Sequence, residues 1–404
     1  MSRARDLANL LKAASALSLP VGTTAQRPAS PAAGMARFNT DLGNLEFRSA
    51  TGWLPVYRFS SIVSIAGNIL EGTETTLTLT VEDTASTIDV VFSASGSEVA
   101  RVSDAAVSAG VATATVPSSV YNLALGTVVA ISIESGGGAS TNSVNKTVAA
   151  LPTGGTVTTY DGYRVHTFNA SGTFAANGFS GNVEYIVVAG GAGSGARGSR
   201  WAGGGGGGGL RASIAGYNSG GGVAAESSFA VTASTNYTVT VGAGGTGSPS
   251  GEAPGGSGGT SAFDSITTVG GGGGGGYGGN SGGSGGGGVN GNSAGGFSEN
   301  GGAGTAGQGF RGGGSFDNGA GGGGGGSAAV GSPSNAGAGV GYPIYSASLT
   351  YLAGGGSTTN AGAPNGGSGT LTAGAANSGA GGGAGFSTSG RNGGSGVVIV
   401  RYQI

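Results

Sequence analysis

Between Ala189 and Gly396 the chain is dominated by glycine, and this stretch restricts its folding more than any other feature. The sequence holds 97 glycines; 18 lie at or before Ala189, which leaves 79 beyond it. Uninterrupted runs occupy Gly203 to Gly209, Gly270 to Gly276 and Gly321 to Gly326. Glycine loses more backbone freedom on folding than any other residue. An ordered array of such runs therefore needs a repeated backbone hydrogen-bond scheme, and the competing reading is a flexible linker. A glycine run in the polyproline II shape has three residues per turn and a rise of ~3.1 Å, so six or seven residues make a rod of roughly 20 Å. Each glycine keeps its N–H, so rods can pack side by side and bond in several directions, which satisfies the buried backbone. Collagen is excluded because the runs break its period of three and proline is scarce.

The flanks favour the ordered array. Tyr163 to Phe168 and Asn182 to Val188 read as strands before the glycine region, and Gly396 to Ile404 reads as one after it. Such strands would close a sheet at its base. Inside the region, Ser228 to Val231 and Tyr237 to Val241 alternate apolar and polar residues and are expected to form a hairpin, with a further strand over Ala262 to Val269.

Three segments precede this half. Residues 1–57 begin with a short helix over 1–19, where Leu7, Leu10, Leu11, Ala14 and Leu17 recur at helical spacing and Pro20 with Gly22 ends it. A β-meander follows, with strands over Ala36 to Asn39 and Leu45 to Arg48. It is too small to bury Met35, Phe38, Leu45, Phe47 and Trp53 by itself. Leu7, Leu10, Leu11, Phe38, Phe47 and Trp53 are the candidate attachment or oligomer contacts. Residues 58–150 carry β-branched runs at Leu77 to Val81, Ile88 to Phe92, Val111 to Val116, Val128 to Ile133 and Val144 to Val148. That spacing predicts an immunoglobulin-like sandwich acting as a spacer. Residues 151–155 form a linker and 156–404 the glycine-rich head. The expected fold class is mostly β.

Chemistry-bearing residues are sparse. Charged residues make up 8% of the chain and the net charge is −2, which argues against a nucleic-acid surface. Cysteine is absent and His166, the one histidine, lies in a strand-like run. Gly193 to Gly198 fits G-x-G-x-x-G after a strand, but seven glycines follow in place of the helix that a dinucleotide site needs. No paired carboxylates or nucleophile with a base emerge, so no enzyme activity and no cofactor are expected. No apolar run approaches the ~20 residues of a membrane span. Asp6 and Lys12 interrupt the segment that superficially matches a secretion signal, so none is read. Assembly into a virion is one way such a protein leaves its cell.

Two resemblances sharpen this. GTTAQRP at Gly22 to Pro28, GMARFNTD at Gly34 to Asp41, Leu45-Glu46 and the Trp53 region resemble a segment near the start of tailed-phage fibre and other virion proteins. Tyr163 to Phe168, Ser171 to Phe174, Val183 to Gly191, Tyr237 to Gly245 and Gly394 to Tyr402 are similar to the glycine-rich domain of phage tail-fibre proteins and adhesins. That resemblance implies a polyglycine II sandwich at a fibre tip, with connecting loops that contact a host receptor. It also implies a homotrimer joined to tail or capsid proteins, with a host surface glycan or outer-membrane protein as receptor. Aromatics and arginine dominate binding hot spots, so the candidate contacts are Arg211, Tyr217, Phe310, Arg311, Phe316, Asp317, Tyr342, Tyr345 and Tyr351. The alternative for these rings is that they cap the ends of the glycine array. A capsid-decorating protein with no receptor role is the second functional expectation, and a polysaccharide depolymerase the third.

Overall fold

The computed structural model describes residues 19–41, 44–56, 60–82, 86–135, 138–139, 142–198, 201–289, 301–315, 322, 324–358, 371–386 and 389–404. The helix expected at the N-terminus, with Leu7, Leu10 and Leu11, lies outside these residues. The protein is mostly β and divides into two compact units, Met1–Val148 and Ala149–Ile404. Among the described residues no helix is long and apolar enough to cross a membrane.

The first unit opens with a four-stranded sheet of β1 (Val21–Gly22), β2 (Ala36–Asn39), β3 (Asn44–Arg48) and β4 (Trp53–Val56), in that order. Its polarity is inverted. Arg37 sits opposite Glu46 in the β2–β3 register, and Phe38 opposite Leu45. The face carrying Arg37, Asn39 and Glu46 is buried, whereas Phe38 and Phe47 on the other face are 38% and 43% exposed. The GTTAQR and RFNTD residues explain this. Glu46 accepts from both Arg27 Nε (3.2 Å) and Arg27 Nη2 (2.5 Å), and from Asn39 Nδ2 (3.2 Å). Arg37 pairs with Glu46 and donates to the Thr23 carbonyl, and its guanidinium lies over the Trp53 ring. A buried charge needs this full set of partners.

The remaining strands of this unit are β5 (Ser61–Ala66), β6 (Ile69–Leu70), β7 (Thr76–Glu82), β8 (Thr87–Ala94), β9 (Ser97–Ser108), β10 (Val111–Thr115), β11 (Val128–Ser135), β12 (Gly138–Ala139) and β13 (Val144–Ala149), with a single helical turn α1 (Ser118–Tyr121) after β10. Their order, β5-β7-β10-β9 continuing into β8-β11-β13, is the A-B-E-D and C-F-G arrangement of immunoglobulin-like domains. The two layers are not separate sheets. Strand β9 pairs with β8 and then, at Val107 and Ser108, with β10. A bulge opposite Ile88 to Val90 makes this bend, with Asp104 at φ +54° and its amide held by Asp89. Alternation along β7 and β10 sends Leu77, Leu79, Val81, Ala112 and Ala114 into one core with Phe92, Ile131 and Ile133.

The second unit begins with β14 (Thr156–Tyr160), β15 (Tyr163–Phe168), β16 (Gly172–Ala175) and β17 (Gly181–Val188). Within the glycine region lie β18 (Leu210–Ala212), β19 (Phe229–Val231), β20 (Asn236–Thr240), β21 (Ser261–Phe263), β22 (Ile266–Thr268), β23 (Val340–Tyr342) and β24 (Thr350–Leu352), and β25 (Val397–Gln403) closes the chain. One sheet runs β14-β15-β25-β17-β18 and a second β16-β20-β21-β22. The bracketing strands therefore do meet, with β25 seated between β15 and β17. The hairpin expected from Ser228 to Val241 does not form. Its arms are β19 and β20, but β19 pairs with β17 while β20 pairs with β16 and β21. The strand expected over Ala262 to Val269 is instead most of a hairpin, β21 and β22.

Continuing from these strands, the glycine runs form rods with a period of three. In rod 202–209 the amides of Gly203, Gly206 and Gly209 donate to Gly275, Gly272 and Val269. Those of Gly204 and Gly207 donate to Gly322 and Gly325, and those of Gly205 and Gly208 to Gly382 and Gly379. Its carbonyls accept from Gly195, Ala192 and Ala189 on one side, from Gly287 and Ser284 on another, and from Gly356 on a third. All of these bonds span 2.8–3.1 Å. The rod is thus enclosed by six others. Side chains have no free face here: a Cβ on Gly203, Gly204 or Gly205 would overlap the carbonyl oxygens of Gly287, Gly356 and Ala192 in turn. Rod 189–196 is enclosed in the same way, by 203–209, 242–248, 253–259, 271–274, 379–382 and 391–394.

Candidate functional site

The hydrogen-bond ladder fixes which connections share an end of the lattice. Ala189 lies level with Gly209 and Val269, whereas Gly195 lies level with Gly203, Gly275 and Gly287. Successive rods alternate in direction. The junctions to β17, β18, β20 to β25 are all at the first end, which is the strand end. The connections 249–252 and 276–279 are at the other, as are Arg197, Gly198, Trp201 and Phe386. Residues 289, 301, 315, 322, 358 and 371, which border stretches outside the described set, also lie at that loop end.

One connection at the loop end joins rods 189–196 and 202–209, each enclosed by six others. Arg197 and Trp201 come from it. The amide of Gly203 bonds to Gly275, which brings the 276–279 turn alongside, and the amide of Ala202 bonds to Gly385, which brings Phe386 to the opposite side. Trp201 and Phe386 form an antiparallel bridge, with ring centroids 5.9 Å apart at 68°. The Arg197 guanidinium lies 5.0 Å from the Tyr277 centroid and 3.8 Å from the Glu252 carboxylate. The Tyr277 hydroxyl contacts the same carboxylate. Arg197 is buried, while Tyr277 and Phe386 are each 52% exposed. A buried cation thus holds an exposed ring in place.

The sequence-predicted contacts fall elsewhere. Arg211, Tyr217, Tyr342, Tyr345 and Tyr351 are brought together at the strand end. Arg211 on β18 forks onto Glu226 at 2.6 and 2.9 Å, and Tyr185 donates to the same carboxylate at 2.8 Å. Burial works against the Glu226 charge, but the bonds from Arg211 and Tyr185 hold its carboxyl below the usual range. Tyr342 is 1% exposed, packs on Tyr217 at 5.9 Å and donates to the Asn218 carbonyl, so its ring lies inside the domain. Burial, with the Glu226 charge adding to it, pushes the Tyr342 phenol up. Tyr345 is exposed and hydrogen-bonds Thr167, and Tyr351 lies opposite Gly341 in the β23–β24 register. Phe310 and Arg311 belong to a rod rather than a loop, the first half-buried and the second exposed. Phe316 and Asp317 lie outside the described residues. In the first unit, Phe38 and Phe47 are on the outer sheet face and Trp53 is half-buried beneath Arg37.

The sequence matches the glycine-rich domain family over residues 167–403, from β15 to β25. This chain belongs to the glycine-rich domain family. No curated protein matches the sequence. In this glycine-rich domain the loop-end residues Arg197, Trp201, Glu252, Tyr277 and Phe386 escape a search for loops dense in aromatics, because each stands alone among small residues. The usable signal was position. Rod 189–196 leaves β17 at the strand end, so the segment that follows it, with Arg197 and Trp201, turns at the opposite end.

Proposed function

We propose that this protein is a tail fibre or receptor-binding protein of a tailed phage virion, whose loop end meets the host cell surface. The observation that carries this reading is the polarity of the lattice: it is built from backbone, its strands gather at one end, and at the other lie connections that carry no strand, with Arg197, Trp201, Tyr277 and Phe386. A rigid support with side chains free of any folding duty suits recognition. The partner is a host surface glycan or an outer-membrane protein, and the role is binding rather than catalysis. The GTTAQRP segment supports attachment of the N-terminal part to tail or capsid proteins. The outward Phe38 and Phe47 face supports a homo-oligomer, a trimer by analogy with other fibres.

The test is location together with adsorption. Immunogold labelling is expected on the tail, and replacing 197–201 and 276–279 with Gly-Ser segments is expected to reduce host adsorption at least tenfold. Label on the capsid with unchanged adsorption would reject this reading in favour of a decorating role.

A further inference from the structure

The loop end has a chemistry of its own. Three aromatic rings, Trp201, Tyr277 and Phe386, flank the connection between rods 189–196 and 202–209, each of which is enclosed by six others. Two of them are half-exposed without being loose. Phe386 is tied by its bridge to Trp201, and Tyr277 is pinned by Arg197 beneath it and Glu252 at its hydroxyl. Rigid aromatics lose little entropy on binding. The cluster carries no net charge, because Glu252 neutralises Arg197 and the Tyr277 ring covers the guanidinium. Arg391, also at this end, is turned back onto the Leu371 carbonyl at 3.1 Å. A phosphate or carboxylate ligand would meet no uncompensated cation in this cluster. Flat apolar faces beside one exposed carboxylate instead match a ring that has an apolar C–H face and a rim of hydroxyl donors.

We propose that Trp201, Tyr277 and Phe386 form a stacking platform for an uncharged sugar ring of a surface glycan, with Glu252 accepting hydrogen bonds from its hydroxyls. The proposal rests on the reading of the loop end as the receptor-facing end. Tyr277 and Phe386 are contact residues; Arg197 is a positioning residue that acts through Tyr277.

The sequence contains two tryptophans, so Trp53→Phe in the full chain leaves Trp201 as the sole indole reporter. Methyl glucoside, methyl galactoside, methyl mannoside and N-acetylglucosamine are titrated against its emission. At least one is expected to give a saturable change, weakened tenfold or more by Tyr277→Ala and by Phe386→Ala and retained by Tyr277→Phe. Unchanged near-UV circular dichroism shows that each variant is folded. On a panel of bacteria, binding of the full chain is expected to be lost after periodate oxidation and kept after proteinase K. A flat response to all four sugars overturns the proposal, as does cell binding that survives periodate and is lost to proteinase K, the pattern of a protein receptor. If the Tyr277→Ala and Phe386→Ala chains bind cells as the parent does, the platform fails while the receptor reading stands. If the parent binds no cell, the receptor reading itself fails.

Discussion

His166 donates from Nδ1 to the carbonyl oxygen of Gly154, 2.8 Å away, and so ties the segment before β14 to the sheet of the second unit. The imidazole is fully buried between Tyr402 and Phe174. Nδ1 carries the proton, which leaves Nε2 as an acceptor; among the described residues no protein group fills it. Burial lowers the pKa, the Gly154 bond opposes that, and the nearby Arg164 charge lowers it further. The folded-state pKa therefore lies below the ordinary value of 6.5. Stability from neutral His166 is complete above that value and falls as pH drops below it, because the unfolded chain takes up the proton first. The melting temperature of the second unit is expected to be flat from about pH 8 to pH 7 and to decline below about pH 6.5. His166→Asn, which keeps a donor for Gly154 without a titrating group, should flatten that decline; a decline of the same size in this variant would assign it to other groups.

Rod 202–209 predicts a sharp contrast between two glycines. A Cβ at Gly206 would overlap the Ser284 carbonyl oxygen, with Gly285 behind it, whereas one at Gly198 meets nothing within 4 Å. Gly206→Ala should destabilise the second unit by about 3 kcal/mol, the scale of overpacking a tight core. Gly198→Ala should shift stability by less than about 0.5 kcal/mol. Chemical denaturation of the full chain, followed at the second transition, measures both.

In the first unit, Glu46 is the residue on which Arg27, Arg37 and Asn39 converge. Glu46→Ala leaves the buried Arg37 without its carboxylate and should cost about 2–3 kcal/mol, read from the unfolding of this unit. The Arg27 hydrogen bond, helped by Asn39 and the nearby Arg37 charge, holds the Glu46 carboxyl below its usual range against the opposing effect of burial. Its contribution is thus full above about pH 4.5 and is lost as pH falls further. Substituting Phe38→Ser on the opposite face should cost far less, and a larger loss there would show that the outer face is a core.

Strand β25 pairs with β15 on one side and β17 on the other. Removing residues 397–404 opens the sheet at its centre and exposes Val165, Ile186 and Val188. The truncated chain should lose the second unfolding transition and become protease-sensitive between 156 and 396, while the first transition remains. A retained second transition would mean the lattice stands without its closing strand.

The architecture was legible where the sequence repeats a physical rule. The β-branched run Leu77 to Val81 marked a strand, which the structure extends to Thr76–Glu82, and glycine at every position of 203–209 marked a rod with no face to spare. Pairing partners were less legible. Nothing in Ser228 to Val241 shows that β19 leaves for β17, because a two-residue alternation fixes which face is buried and not which strand lies alongside. In the first sheet Phe38 and Phe47 are exposed, in keeping with a meander too small to bury them, but the buried polar face was not legible: Arg27 and Asn39 lie far enough from Glu46 in sequence that their convergence is visible only when folded. At the loop end, Trp201 and Tyr277 are not legible as a pair, since one aromatic between glycine runs carries no pattern of its own.

The alternation of rod direction imposes a counting rule on this domain's history. A chain that enters the lattice from β17 and must leave it as β25, at the same end, can gain or lose rods only in pairs. The unit of inheritance is therefore one outward rod, its turn and one returning rod. Duplication, deletion or exchange of such a unit keeps β15, β17 and β25 in register, whereas a change by one rod would deliver β25 to the wrong end and leave the base sheet unclosed.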